Sequence, residues 1–109
     1  MDVIDKINII SAILFLLTGI LHLLMPLFYL MSFEIIASFI YGIIYTSLAI
    51  LVQIKKENKI IAILSIFLPL IGLIAGIIAL LPIMDAYILF LLMLDPIIII
   101  LRIFIYRSS

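Results

Sequence analysis

Asp95 stands inside an apolar stretch, ten residues beyond Asp85 with no charge between them. On a helix that spacing is about 15 Å of rise, half of a hydrocarbon core roughly 30 Å thick. Inserting an aspartate at that depth costs about 2.5–3.5 kcal/mol, and carboxyls kept there commonly serve ion or proton paths. Pro96 follows, removing a backbone donor and freeing the carbonyl of Leu92. Asp followed by Pro is also how a helix begins, with a capping carboxylate and a proline in its first turn. The pattern therefore predicts two half-helices meeting at Asp95. Its carboxyl either exchanges a proton or cation, or merely caps a kink, protonated or bonded to Tyr45 or Thr18, which lie at similar depth.

Arg102 lies one heptad beyond Asp95 on the same face. Its side chain is expected to snorkel to the headgroups, the alternative being a guanidinium turned back toward Asp95. His22, Glu34 and Asp85 fall at the opposite end of their helices. If they converge, imidazole and carboxylates suit a proton or a divalent cation; the bland alternative makes Glu34 and Asp85 first-turn residues complementing helix N-termini. The identity of any metal is open. Met25, Met31 and Met84 gather near the same turns, where a thioether cluster would suit Cu(I), although Met more often fills gaps in packing. The chain has no cysteine, hence no thiolate chemistry. No phosphate-binding loop, bis-His pair or nucleophile turn is present in the sequence, and no cofactor or nucleic-acid partner is expected.

The elements that must position these residues follow from composition. Of 109 residues 70% are hydrophobic and the mean hydropathy is +1.65, far above a soluble domain. The stretches Ile7–Phe33, Ile35–Ile54 and Ile60–Met84 carry no charge, and each can cross a bilayer. The fold expected is all-α: a polytopic membrane protein forming a single compact, left-handed bundle of four transmembrane helices. The spans are expected at about 7–25, 33–54, 60–81 and 85–106, the first ending at Pro26 and retained rather than cleaved as a signal. Polarity marks the protein-facing seams at steps of three and four. These are Asn8, Ser11, Phe15, Thr18 and His22 in the first span; Glu34, Ser38, Tyr41, Tyr45 and Ala49 in the second, with Gly42 and Thr46 alongside; Ala62, Ser65, Pro69, Gly72, Gly76 and Ala79 in the third. The fourth gives Asp85, Ile88, Leu92, Asp95, Ile99, Arg102 and Tyr106. Along Gly72 and Gly76, with Ser65 and Ala79, the third span is expected to admit another helix closely.

All six basic residues, Lys6, Lys55, Lys56, Lys59, Arg102 and Arg107, fall on one side of this zigzag. The positive-inside rule then places both termini in the cytoplasm of a multi-pass protein of the cell membrane. Length and the four-span plan resemble the small multidrug resistance transporters. That family has a glutamate within the first span, where this chain has Ser11 and Thr18 before His22, and many of its members have a weaker charge bias. Gly19-Ile20-Leu21-His22-Leu23-Leu24-Met25-Pro26 looks like the first-span pattern of DoxX-like membrane proteins over eight residues. No family is assigned from either resemblance. The leading functional expectation is a non-enzymatic subunit, packing in the lipid bilayer against copies of itself or other membrane proteins. The alternative is a small transporter or proton/cation conduit using Asp95.

Overall fold

The computed structural model describes residues 2–108. They form α1 (Val3–Phe28), α2 (Phe33–Ile54), α3 (Lys59–Leu80), a 3₁₀ turn (Leu81–Ile83) and α4 (Ala86–Ser108). Each long helix opens on a polar cap: Asp2 accepts the Asp5 N–H, Ser32 that of Ile35, Asn58 those of Ile60 and Ile61, and Asp85 that of Ile88. All four are long and apolar enough to cross a membrane, compatible with a small integral membrane protein. The long dimension, 43 Å, matches a bilayer with its interfacial regions.

The helices form a ring in chain order, with α1 packed against α2 and α4, and α3 against α4 and, least of all, α2. Lys56 Nζ lies 3.8 Å from Asp5 Oδ1, so the central loop and the N-terminus share one end, called the terminal end below. Tyr29 and Asp85 meet at the other, the turn end. Two apolar clusters fill the interior. Phe15, Tyr45, Leu48 and Ile98 lead one; Met25, Ile35, Leu80 and Ile88 lead the other. Ile13, Ile40, Ile78 and Ile100 face outward, as a lipid-facing surface requires.

Three expectations change. α1 runs through Pro26 to Phe28, because a proline in the last turn forfeits only one bond while the Tyr29 N–H still reaches the Met25 carbonyl. α4 is one unbroken helix across Asp95-Pro96, not two halves. Leu94 and Ile98, both buried, hold it on either side of the proline, a residue that packed membrane helices tolerate. The third correction concerns Gly72 and Gly76, which do not bring two backbones together. A Cβ on Gly72 would meet the Tyr45 hydroxyl at 2.6 Å and Tyr41 Cε1 at 3.0 Å, and one on Gly76 would meet Leu92 Cδ2 at 2.8 Å. These glycines make room for side chains, and the two tyrosine rings keep α2 and α3 apart.

The close backbone crossing belongs to α1 and α2. A Cβ on Gly19 would lie 2.9 Å from the Thr46 backbone nitrogen, and one on Gly42 would lie 2.9 Å from the Gly19 carbonyl oxygen. Backbone cannot yield as a side-chain tip can, so Gly19→Ala and Gly42→Ala are each expected to destabilise the bundle by about 1–3 kcal/mol, the usual cost of overpacking. Gly76→Ala is expected to be nearly neutral, because Leu92 can turn aside. Detergent unfolding of the three variants checks the order; equal losses would contradict it.

Candidate functional site

Four helices converge on Arg102 near the terminal end. Its Nε donates to Ser65 Oγ at 3.0 Å, and its Nη1 donates to Ser11 Oγ at 3.0 Å and to Asn8 Oδ1. Asn8 Nδ2 donates to the Val52 carbonyl at 3.0 Å, while the Asn8 carbonyl receives Ser11 Oγ and Gln53 Nε2. Arg102, Asn8, Ser11 and Ser65 are all buried. The guanidinium therefore neither snorkels nor turns to Asp95. Neutral oxygens from α1 and α3 already lie within reach inside the bundle, and the one ion pair among the described residues is Lys56–Asp5. Asn8, placed on its seam by the sequence but given no chemical role there, is the residue that joins α1, α2 and α4. The signal was available: a lone amide in an apolar helix, at the same end as Arg102.

Asp95 is 2% exposed and accepts a hydrogen bond from the Tyr45 hydroxyl at 3.1 Å. The Tyr45 ring lies edge-on to His22 and to Tyr41, each at 5.3 Å between centroids, and tilted against Phe15 at 5.8 Å. Thr18, the other partner considered, is engaged by His22 instead. The Nδ1 of His22 lies 2.7 Å from the Thr18 carbonyl and 3.3 Å from its hydroxyl. A carbonyl only accepts, so Nδ1 carries a hydrogen, and in a neutral ring Nε2 is then the acceptor.

A cleft of about 240 Å³ opens between α2 and α3 toward the turn end, lined by His22, Glu34, Ser38 and Tyr41 on one side. The small residues Gly72, Ala75, Gly76 and Ala79 form the other. The cleft exists because the tyrosines wedge α2 from α3; Ser65 and Pro69 of the α3 seam are buried, whereas Ala79 is exposed. Glu34 and His22 thus share a cavity, but Asp85 does not line it. No cluster of three or more His, Asp or Glu able to hold a metal occurs among the described residues, so the conditional convergence of His22, Glu34 and Asp85 is not formed. The thioethers do not form a separate group either: Met25 and Met84 belong to the apolar packing, while Met31 is exposed.

Asp85 is held elsewhere. The Tyr29 hydroxyl donates to it, at 2.8 and 2.6 Å from its two oxygens, while Asp85 caps α4 through the Ile88 N–H. Tyr87 extends this latch by donating to the Leu21 carbonyl. The Tyr29 bond, then the Ile88 N–H, holds the Asp85 carboxyl below its ordinary 3.8. A depressed carboxylate contributes stability fully above the unfolded value, and loses it as pH falls through the folded one. The latch is therefore expected to be complete at neutral pH and to release only in acid below about pH 4. Tyr29→Phe is expected to move the Asp85 titration, followed by NMR in micelles, up toward the ordinary value. An unmoved titration would show that the phenol contributes nothing.

No family model, curated protein or solved structure matches this chain.

Proposed function

We propose that this protein is a small membrane carrier in which Asp95 exchanges a proton, with the cleft between α2 and α3 admitting a solute from the outer side. Both termini then lie in the cytoplasm, as the one-sided distribution of Lys and Arg favours. One observation carries the reading. The Tyr45 hydroxyl bonds Asp95 and also abuts Gly72, a wall of the cleft. Tyr45 is buried behind that wall. A phenol both donates and accepts, so it can pass a proton to and from the otherwise sealed carboxyl when the wall at Gly72 admits water or solute to it. The far end argues for a carrier over an open cation pore: the Arg102 guanidinium is fixed across all four helices there and repels cations.

A second reading, a subunit packed against other membrane proteins or against copies of itself, is favoured by α3. Only Ser65, Pro69 and Leu80 of that helix are buried, leaving most of its apolar surface for lipid or for a partner.

Asp95→Asn is expected to keep the fold, since an amide can still accept from Tyr45, and to abolish proton movement in proteoliposomes under an imposed gradient. Tyr45→Phe is expected to slow the same movement tenfold or more. Wild-type proton flux through the Asn variant would overturn the carrier reading. A stoichiometric foreign chain in the particle released by mild detergent would favour the subunit.

A further inference from the structure

The cleft contains three polar groups with nothing to bond. Glu34 has no hydrogen-bond or ion-pair partner among the described residues, and neither does Ser38. His22 spends Nδ1 on Thr18, leaving Nε2 as its unengaged ring nitrogen. No buried side-chain nitrogen or oxygen sealed from solvent lacks a partner among the described residues. The Ser38 and His22 atoms, on residues that are themselves buried, therefore reach the open space of the cleft. Two of the three groups are pure acceptors in these states and the third, a hydroxyl, is an acceptor as well. No Lys or Arg lines the cleft, so nothing internal neutralises Glu34.

From this geometry we infer that the cleft binds a protonated amine bearing N–H groups on a short apolar tail, with Glu34, His22 Nε2 and Ser38 Oγ receiving its hydrogens. The Tyr41 ring lines the same wall and supplies aromatic surface beside the cation. Gly72, Ala75 and Gly76 leave a smooth apolar wall for the tail. The volume, about 240 Å³, is below the 300–1,000 Å³ usual for drug-sized ligands, which sets the tail at a few carbons or admits only the end of a longer one. Such an ammonium can belong to a free alkylamine or to the headgroup of an aminophospholipid, since the cleft opens between helices at membrane level. The inference takes the cleft as the solute site of the proposed carrier, but binding does not require that protons move.

The full-length protein in phosphatidylcholine nanodiscs, titrated calorimetrically with hexylamine against empty discs, tests it. Saturable binding is expected, at least tenfold weaker for hexyltrimethylammonium, which has the charge but no N–H to donate. Glu34→Gln is expected to lose tenfold or more in affinity with unchanged thermal unfolding, because Glu34 has no internal partner to lose. His22→Phe provides an independent variant and is expected to weaken the amine more than the trimethyl compound. Exchange of phosphatidylethanolamine into the discs assigns the site to a lipid headgroup if it displaces hexylamine, and to a free amine if it does not. Equal affinity for the two ammonium compounds, or no saturation above empty discs, would overturn the inference. Because the assay reads binding alone, the two readings fail separately: an Asp95→Asn variant with wild-type proton flux that still binds hexylamine would overturn the carrier reading and leave this one standing.

Discussion

A buried positive charge organises this molecule. Burying the Arg102 guanidinium in the bundle is costly, and charges within membrane helices persist when the protein supplies partners. Here the partners are neutral and come from different helices: Asn8 and Ser11 from α1 and Ser65 from α3. Asn8 extends the tie to α2 through the Val52 carbonyl. Lipid tails are as apolar as Leu or Ile, so apolar surface alone gives membrane helices little reason to choose one another. The polar knot supplies that choice. It fixes the register of the four helices at the terminal end, and the Gly19–Gly42 crossing fixes the α1–α2 pair farther along.

Consequences at the turn end follow from where such ties are missing. α2 and α3 share no small-residue crossing; Tyr41 and Tyr45 stand between them, and Gly72 receives their edges. The pair therefore diverges into the cleft. The same tyrosine that holds the helices apart reaches Asp95, linking the cleft wall to the deepest carboxyl in the chain. Structural and functional readings of Tyr45 are thus inseparable, whereas Glu34 and Ser38, without internal partners, contribute little to holding the bundle together.

Much of this was legible in the sequence. Four apolar runs, the polar α1 seam and the side of the bundle carrying each basic residue follow from hydropathy and period. All five α1 seam residues, Asn8, Ser11, Phe15, Thr18 and His22, are buried, and Tyr45 is the partner of Asp95. What failed depended on which neighbour stands opposite. A small-x-x-x-small step looks alike whether a backbone or a side chain fills the gap, so Gly72 and Gly76 misled, while Gly42 stood only alongside the second seam and Gly19, on another helix, formed no step with it. Asp-Pro reads as a helix start from local chemistry, and tertiary packing carries α4 through it. The fate of Arg102 turned on Asn8, Ser11 and Ser65 arriving from far along the chain, and no local spacing announces that.

The claim that Arg102 and Asn8 bind the helices together is tested most directly by a double-mutant cycle. Asn8→Ala, Arg102→Leu and the double variant would be unfolded by detergent titration in bicelles. Hydrogen bonds between membrane helices average about 0.6 kcal/mol and reach about 1.7 kcal/mol; a charged donor shared across the bundle is expected in the upper part of that range, with a coupling of about 1 kcal/mol or more. Losses that simply add, within about 0.3–0.5 kcal/mol, would contradict the account.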